Sequence, residues 1–435
     1  MRSASRAAFV VRLAGLLALP SAPCFAEVSV PPFYDAVAKI APDGKLGEIV
    51  RQETIATPIP GAQAWRIAYV TSDIGERKTI ATALVMAPIG PAPPGGRPIV
   101  AWAHGTTGAA QNCGPSQVPN PAQPLNEYFL IGGNSWTDYG VPAASEFIKS
   151  GYVVVATDYQ GLGGGGRHQY MVSVTQARDA IDSIRAAGAL AETGAGKQAL
   201  LYGWSQGGST VIDAASMPDY IAREGSAFDG VHMVGFVALA PADVAAMMPP
   251  GKLDDDAASG LLARLRTTFA DNVAQFTHLA MSFWAMPAAF PDLRLDDVFT
   301  AAGAKVVDAV IGNKCVHAAA DTFNYAYGES YGSLLKAQPA NAVGWARALL
   351  KGSVAPIKPV APVIIYWGSK DVVVPPVTGE LYREQMCKLG GNVARVELPG
   401  EETHFTTPPV AEPLYVPWVK ALFAGKPAAD GCAVP

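Results

Sequence analysis

The chain has little of what nucleic-acid-binding or membrane-spanning proteins need. Its 435 residues carry 32 Lys and Arg against 37 Asp and Glu, a formal net charge of −5. Nucleic-acid binding depends on clustered Lys and Arg, so this acidic balance argues against that class. Beyond the N-terminus, no segment reaches the roughly 18 uninterrupted apolar residues of a membrane helix. With 50% apolar and 16% charged residues, the composition is typical of a well-buried globular enzyme.

Acidic residues are absent before Glu27. Three arginines accompany a short apolar stretch at residues 13–20, and Cys24 and Ala26 place small residues at the positions that determine cleavage. This pattern predicts a signal peptide over residues 1–26 that is cleaved near Ala26. The mature chain would then carry a net charge of −8, because three arginines and no acids are lost. We expect it to be secreted or periplasmic.

Spacings typical of metal sites are also missing, since no C-x-x-C or H-x-x-x-H accompanies the cysteines. Four cysteines remain after residue 26, an even number that favours two disulfides over metal ligation in an exported protein. They are Cys113, Cys315, Cys387 and Cys432. Counting alone allows three pairings. No metal and no cofactor is expected.

Apolar, β-branched segments alternate with helical patterns, which predicts an α/β fold with a mostly parallel sheet covered by helices. The predicted strands are residues 80–86, 99–103, 152–156, 198–202, 234–239, 363–366 and 394–398, with helices at 143–149 and 174–191 between them. Between residues 243 and 356 only helical stretches are predicted. A helical cap of residues 243–356 would cover the carboxyl ends of the strands, where sites of open α/β folds lie. The core would then comprise residues 27–242 and 357–435.

The most informative motif is G-x-S-x-G at residues 203–207. It follows the predicted strand 198–202 and precedes a helix-compatible stretch, which is the context of the nucleophile elbow in α/β-hydrolases. The flanking glycines are needed there because the helix passes close to the strand, where a Cβ would clash. An ordinary turn would also fit the five residues taken alone. The neighbouring strand and helix favour Ser205 as a nucleophile and predict an α/β-hydrolase fold.

A serine nucleophile needs a base, and the base is held by an acid. In this fold the chain order is serine, acid, histidine. Of the six histidines only His404 lies beyond an acid that follows a late strand, Asp371. A surface ion pair for the aspartate and a solvated histidine are the alternatives. Glu401 and Glu402 are rival acids, but they adjoin the histidine in sequence and are poorly placed to reach its far nitrogen.

Acyl transfer also needs an oxyanion hole. One donor is expected to be the backbone N–H of Gln206, directly after the nucleophile. The other is expected from the loop His104-Gly105-Thr106-Thr107-Gly108, which follows strand 99–103. We favour Thr107 over Thr106 as that donor. Because His104 precedes the serine, we expect it to support the loop rather than act as the base.

A second glycine-rich segment, residues 161–166, matches the G-x-G-x-x-G pattern of dinucleotide sites. Such a site needs a helix that opens at once, whereas residues 167–170 intervene here. An exported location also makes a nicotinamide cofactor improbable. We interpret the segment as a flexible loop near the rim of the active site.

Together these motifs resemble the secretory lipases, the α/β-hydrolases related to yeast lipase A, over nearly all of the mature sequence. The matching segments are Pro32-Phe33-Tyr34, Asp158-Tyr159-Gln160-Gly161-Leu162-Gly163, the glycines and serine of 203–208, Asp371 to Pro375, and Thr403-His404. The resemblance implies a Ser205, Asp371, His404 triad, a helical cap over an acyl-binding cleft, and no metal.

The resemblance also implies the disulfide pairing. It places one bridge between Cys113 and Cys315, tying the cap to the core, and a C-terminal bridge between Cys387 and Cys432. The chain departs from yeast lipase A at the oxyanion loop, where Thr107 stands in place of an acidic residue. The pH behaviour of that enzyme is therefore not carried over.

The expected function is that of an exported serine ester hydrolase, a lipase or carboxylesterase acting on acylglycerols or related esters, with transient contact with a lipid–water interface. An apolar cluster in the cap, Phe283, Trp284, Met286 and Phe290, either packs the cap on the core or lines an acyl site. A serine peptidase of the same fold is one alternative, although the cap shows no acidic cluster for a substrate amine. An inactive binding protein is another, and the intact order of the triad argues against it.

Overall fold

The structure is a computed structural model, and it describes residues 32–118, 120–122, 126–130, 134–242, 253–270 and 272–433. The predicted signal peptide lies outside these residues, as do residues 243–252 at the start of the predicted cap. In the part that is described, no helix is both long and apolar enough to cross a membrane.

A mixed sheet of nine strands forms the centre of the described fold. The strands in chain order are β1 (Ile49–Ile55), β2 (Ala62–Ser72), β3 (Lys78–Pro88), β4 (Arg97–Ala103), β5 (Asn126–Leu130), β6 (Asn134–Asp138), β7 (Val153–Gln160), β8 (Ala195–Trp204), β9 (His232–Leu239), β10 (Val363–Trp367) and β11 (Val393–Glu397). Their order in the sheet is β1-β2-β3-β7-β4-β8-β9-β10-β11, while β5 and β6 pair as a separate antiparallel hairpin. Strands β1, β2, β3 and β7 pair antiparallel, and the pairs from β7 to β11 are parallel.

Helices flank the sheet and fill the long connection between β9 and β10. They are α1 (Pro32–Val37), α2 (Ala144–Lys149), α3 (Ser173–Ala189), α4 (Gln206–Ala215), α5 (Pro218–Ile221), α6 (Asp255–Phe269), α7 (Val273–Ala289), α8 (Leu295–Val298), α9 (Ala301–Ile311), α10 (Val316–Tyr327), α11 (Ala342–Lys351), α12 (Val377–Lys388) and α13 (Thr407–Phe423). Short 3₁₀ turns occur at Gln111–Cys113, Pro115–Gln117, Ala191–Thr193 and Gly328–Leu334.

The predicted α/β fold is confirmed, and each of the seven predicted strands lies in the sheet. Sequence reasoning missed β1, β2 and the hairpin β5–β6. Strand β2 is almost wholly buried between β1 and β3, yet it carries polar residues such as Arg66 and Thr71. It therefore shows neither the alternation of a half-exposed strand nor the continuous apolar run of a buried one.

Alternate side chains of the central strands pack against different layers, as the period of two requires. On one face, residues such as Trp102 and Tyr202 pack with Phe147 of α2 and Tyr415 of α13. The opposite face joins the core formed with α3, α4 and α12, and this core continues into the helices between β9 and β10. Because β4, β8, β10 and β11 are parallel, the loops that follow them meet at one edge of the sheet.

We call residues 253–270 and 272–351, which lie between β9 and β10, the helical insertion. Three of its six described helices, α6, α7 and α9, begin at residues whose side chains accept from the first turn: Asp254 from the N–H of Ala257, Asn272 from that of Gln275, and Thr300 from that of Gly303. Its described residues contain no strand beyond the isolated bridges Gly108–Cys315 and Phe299–Leu335. The division into a core and a cap at residue 243 stays a prediction.

Candidate active site

Ser205 occupies a strained turn between β8 and α4. Its φ of 58° and ψ of −115° lie in a region that non-glycine residues rarely adopt, at a cost on the order of 1–3 kcal/mol. Its N–H donates to the carbonyl oxygen of Leu239 at 2.9 Å, which fixes the turn to the next strand. A Cβ on Gly207 would collide with the carbonyl oxygen of Ala103. The glycines thus permit the close strand–helix approach that places the serine at the end of β8.

His404 lies between Ser205 and Asp371. Its Nδ1 is 2.7 Å from Asp371 Oδ2, and its Nε2 is 2.9 Å from Ser205 Oγ. Since a carboxylate can only accept, the proton on this imidazole belongs to Nδ1, which leaves Nε2 to accept the serine proton. The other carboxylate oxygen, Oδ1, accepts from the N–H groups of Val373 at 2.9 Å and Val374 at 2.8 Å. The rival acid Glu401 instead faces Lys370.

The three side chains are largely shielded from water. Ser205 is 8% exposed, Asp371 6% and His404 2%. Trp204 contributes to this shielding, with its ring 4.9 Å from that of His404. Its indole N–H also donates to the carbonyl oxygen of His404 at 3.1 Å. Sequence reasoning gave Trp204 no role because the G-x-S-x-G motif leaves that position open.

Contacts with the helical insertion hold the loop of residues 104–108 in place. The N–H of Val316 donates to the carbonyl oxygen of Thr107 at 2.9 Å, and Gly108 forms a β-bridge with Cys315. The disulfide Cys113–Cys315 joins the same two segments. A Cβ on Gly108 would meet Cys113 Sγ, so the approach depends on that glycine. The second disulfide, Cys387–Cys432, links α12 to the C-terminal segment, and both pairings agree with those implied by the resemblance.

The two expected oxyanion donors are the backbone N–H groups of Gln206 and Thr107. Gln206 is the first residue of α4, and N–H groups of a first helical turn have no partner within the helix. Thr107 is fully buried, and its Oγ1 has no hydrogen-bond partner among the described residues. His104 lies beside them, with Nδ1 2.6 Å from the carbonyl oxygen of Gly105. Burial lowers the pKa of His104 to about 4, so its ring is neutral.

The Gln206 side chain is oriented by His168. His168 Nδ1 lies 2.7 Å from the carbonyl oxygen of Gln160, so Nδ1 carries the proton. Burial lowers the pKa of His168 to about 4, which leaves Nε2 as an acceptor. Gln206 Nε2 lies 3.2 Å from this nitrogen and therefore donates to it. A neutral histidine thus holds the side-chain amide of Gln206, next to the nucleophile in the chain.

The segments 32–34 and 158–163, which are both part of the family resemblance, meet in a buried polar network. Asp158 accepts from the N–H of Ser116 at 2.8 Å, from the hydroxyl of Ser116, and from Thr82 Oγ1 at 2.6 Å. Tyr34 Oη lies 2.6 Å from Ser116 Oγ. Burial raises the pKa of Asp158 to about 6, although these hydrogen bonds oppose the shift. The network ties α1 to β7, next to the loop that carries His104.

A cavity opens beside Ser205, and the space inside it and at its open mouth together amounts to about 960 Å³. Its lining is mostly apolar, which is typical of small-molecule sites. The lining residues are Tyr170, Met171, Ser205, Gln206, Ala242, Leu265, Phe269, Gln275, His278, Leu279, Ser282, Phe283, Leu349, Val373, Val374, Pro375 and Thr378. Gln275, His278, Leu279, Ser282 and Phe283 follow the i, i+3, i+4, i+7, i+8 pattern of one helix face. The helical insertion therefore supplies one wall of this cavity through α7.

Of the four candidate acyl-binding residues, only Phe283 lines the cavity. Trp284 turns about 100° away, where its indole N–H donates to Asp308 at 2.8 Å and Arg167 stacks 4.0 Å over its ring. Met286 and Phe290 follow Phe283, which is the last residue of α7 that lines the cavity. Trp284, Met286 and Phe290 do not line this cavity, which favours the alternative that they pack within the protein, and a role for them in acyl binding stays a prediction.

The glycine-rich loop of residues 161–166 is held by Gln111. The Gln111 Oε1 accepts from the N–H groups of Gly163 at 3.2 Å and Gly165 at 3.0 Å. The next helix, α3, begins only at Ser173, which leaves the loop without the helix N-terminus that a dinucleotide site requires. Among the described residues, no group of three His, Cys, Asp or Glu is arranged to hold a metal.

Comparisons with known proteins agree with this fold. A sequence model of the family described as secretory lipase matches residues 135–431, more than half of the chain. Lipase 9 of Candida albicans is 23% identical over 445 residues, covering 96% of this chain and 86% of that protein. The closed state of Candida antarctica lipase A has a TM-score of 0.69 at 18% identity, covering 94% of this chain and 89% of that one. The rice cell wall degrading esterase LipA of Xanthomonas oryzae has a TM-score of 0.63 at 18% identity, covering 88% and 100%. The last two likenesses identify an α/β-hydrolase fold.

Proposed function

The chain belongs to the secretory lipase family and is a hydrolase that acts on esters, and from this we propose that it cleaves carboxylic esters, acylglycerols among them, through Ser205, His404 and Asp371. The observation that carries the proposal is the continuous path from Asp371 Oδ2 through the imidazole to Ser205 Oγ, with distances of 2.7 and 2.9 Å. Such a path is what activates an otherwise weak hydroxyl nucleophile.

In the first half of the reaction, Ser205 Oγ attacks the ester carbonyl carbon while His404 Nε2 takes the hydroxyl proton. Asp371 stabilises the imidazolium that forms and keeps the ring oriented. The N–H groups of Gln206 and Thr107 would hold the carbonyl oxygen as it becomes negative. When this intermediate collapses, the C–O bond to the alcohol breaks, and His404 returns the proton to the departing oxygen.

In the second half, water attacks the acyl-enzyme carbonyl and gives a proton to His404 Nε2. Collapse of the new intermediate breaks the bond to Ser205 Oγ, which regains the proton, and the carboxylic acid leaves. The low exposure of the three side chains supports this chemistry, because electrostatic stabilisation is stronger where water is excluded. The cavity beside Ser205 offers room for one arm of the ester.

Contact with a lipid surface is part of the proposal. Val372 follows Asp371 and is 78% exposed, and Phe405 follows His404 and is 53% exposed. Apolar side chains at such positions favour adsorption to an interface. A series of esters measured above and below their solubility limits tests this, since a rate increase at the limit is expected for a lipase and a smooth saturation curve for an esterase.

We also propose that the chain is exported after cleavage near Ala26 and that residues 243–356 form a cap. The two disulfides support export, because such bonds persist in oxidising compartments. The N-terminal sequence of the exported protein tests the cleavage site. An uncleaved N-terminus would contradict it.

The function is tested with Ser205→Ala. The variant should retain the wild-type unfolding curve but lose p-nitrophenyl ester hydrolysis by about 10³-fold or more. Matched ester and amide substrates separate an esterase from a peptidase of the same fold. Ester turnover by Ser205→Ala at the wild-type rate would overturn the proposal.

A further inference from the structure

Most polar groups around the cavity already have partners within the protein. Tyr170 Oη lies 2.8 Å from Thr106 Oγ1, Gln275 Nε2 donates to Val372 O at 3.3 Å, Ser282 Oγ to His278 O at 2.9 Å, and Thr378 Oγ1 to Pro241 O at 2.9 Å. Gln206 Oε1 has no partner, but it is buried below the surface that a ligand reaches. Each of these groups therefore already uses one hydrogen-bonding atom within the protein, while the hydroxyl oxygens and Gln275 Oε1 can still accept.

Unlike the other polar side chains of the cavity wall, His278 presents a nitrogen acceptor. Its Nδ1 lies 2.7 Å from the carbonyl oxygen of Ala274, one turn earlier in α7, so Nδ1 carries the proton. Burial lowers the pKa of His278, which keeps the ring neutral. The opposite nitrogen, Nε2, is then a hydrogen-bond acceptor. Within the described part of the chain, Nε2 has no hydrogen-bond partner.

His278 borders the same cavity as Ser205. Its ring lies 6.5 Å from that of Tyr170, another lining residue. Burial is the main cause of the lowered pKa of His278, and the nearby His404 ring lowers it further whenever that ring is protonated. A substrate whose carbonyl carbon reaches Ser205 would therefore place a nearby part of its chain beside His278.

The chemistry of the wall restricts what this nitrogen can bind. A neutral imidazole acceptor pairs with a hydrogen-bond donor on the ligand. A cationic donor such as an ammonium group would need a carboxylate as partner, and the described residues that line the cavity include no Asp or Glu. The donor that fits is therefore uncharged, and a hydroxyl group is the simplest one that an ester can carry.

We propose that His278 Nε2 selects esters that carry a hydroxyl group on the arm that enters the cavity. This rests on the proposed ester hydrolysis at Ser205. An unsubstituted alkyl arm leaves the nitrogen unpaired and desolvated, whereas a hydroxylated arm satisfies it, so the preference arises from the cost of an unpaired polar atom. The hydroxyl belongs either to the acyl chain or to the alcohol, and the experiment distinguishes the two.

The test compares kcat/KM for pairs of esters within each enzyme. The first comparison, for the acyl chain, sets p-nitrophenyl hydroxyoctanoates with the hydroxyl at successive carbons against p-nitrophenyl octanoate. The second comparison, for the alcohol, sets the octanoyl monoester of butanediol against butyl octanoate. The ratio of kcat/KM for the hydroxylated ester to that for the plain ester is divided by the same ratio for alkaline hydrolysis, and this corrected ratio is free of the intrinsic effect of the hydroxyl on reactivity.

The wild type should give a corrected ratio above one for at least one hydroxylated ester, and His278→Leu should lower that ratio about three- to tenfold. The matched control is Thr277→Val, which removes a hydroxyl from the residue that precedes His278 in α7. Thr277 donates to the carbonyl oxygen of Val273 and lies outside the cavity lining, so the ratio should equal that of the wild type.

The wild-type ratio alone tests the proposal if His278→Leu does not fold. Corrected ratios at or below one in both comparisons, or a corrected ratio that is unchanged in His278→Leu, would overturn the proposal. In those cases turnover of the plain esters would still support hydrolysis at Ser205. Failure of the wild type to hydrolyse any of these esters would instead overturn the proposed function itself, so the two failures are distinguishable.

Discussion

The N–H of Val316 donates a hydrogen bond to the carbonyl oxygen of Thr107 at 2.9 Å. These residues are 209 positions apart, one at the start of α10 in the helical insertion and the other in the loop after β4. The neighbouring disulfide, Cys113–Cys315, holds the same two segments together. The helical insertion thereby fixes the carbonyl side of Thr107, the residue whose own N–H is proposed to bind the oxyanion.

Removal of this disulfide should lower kcat more than it raises KM. In Cys113→Ser/Cys315→Ser the loop loses a covalent restraint, and misplacement of an oxyanion donor is felt mainly in the transition state. We expect a roughly 10- to 100-fold fall in kcat, measured on p-nitrophenyl esters at temperatures where the variant is folded.

The second disulfide supplies the control. Cys387→Ser/Cys432→Ser should lower the free energy of unfolding by about 2–5 kcal/mol, as loss of a native disulfide does in general. Its kcat should stay near that of the wild type, because this bond lies in the C-terminal segment, away from residues 104–108. Equal losses of kcat in the two double variants would contradict a specific role for Cys113–Cys315.

Asp371→Asn should reduce kcat by about 10³- to 10⁴-fold while the fold is retained. The amide cannot stabilise the imidazolium, and it no longer fixes the proton of His404 on Nδ1. The rival acids provide matched controls, since Glu401→Gln and Glu402→Gln should change kcat less than about threefold. A larger effect of either glutamine variant than of Asp371→Asn would mean that the wrong acid has been assigned.

Trp204→Phe should reduce kcat by about tenfold, with the ring contact to His404 kept and the hydrogen bond to its carbonyl oxygen lost. Trp284→Phe removes a comparable indole hydrogen bond, that to Asp308, from outside the cavity. It should leave kcat unchanged. Steady-state kinetics on one soluble ester check both, and equal losses would refute the positioning role of Trp204.

The pKa of Asp158, raised by burial to about 6, predicts a specific pH dependence of stability. The ordinary value is 3.8, so between pH 4 and 6 the folded state holds this proton while the unfolded state releases it. The stability that the proton contributes is complete below pH 3.8 and is lost as the pH rises to about 6, amounting to about 2–3 kcal/mol.

Denaturant unfolding at several pH values, with Asp158→Asn as the comparison, measures this contribution. As the pH rises from 4 to 6, the free energy of unfolding of the wild type should fall relative to that of the variant. Other buried carboxyls, such as those of Asp179 and Asp182, are common to both proteins and cancel. A difference that is flat between pH 4 and 6 would show that Asp158 titrates normally.

The sequence predicted what depends on local patterns. The elbow at 203–207 was recognisable because its glycines are required by contacts between adjacent elements, such as Gly207 against Ala103. The positions of Asp371 and His404 followed from the order of strands, since each lies just beyond a strand end. These are features that neighbouring residues determine.

The remaining features depend on contacts between distant parts of the chain. The hydrogen bond from Val316 to Thr107, and that from Trp204 to His404, leave no trace in local composition. For the same reason the sequence could not show which residue of the apolar stretch on α7 faces the cavity. Phe283 does, and Trp284 meets Arg167 and Asp308 instead.

The central claim, that Ser205 is the nucleophile activated by His404, is tested most directly by covalent labelling. A fluorophosphonate probe should add once to the peptide that contains Ser205, identified by mass spectrometry, and activity should fall in proportion to the label. His404→Ala should slow that labelling at least a hundredfold. Full labelling at another residue, or ester hydrolysis that survives complete modification of Ser205, would contradict the account.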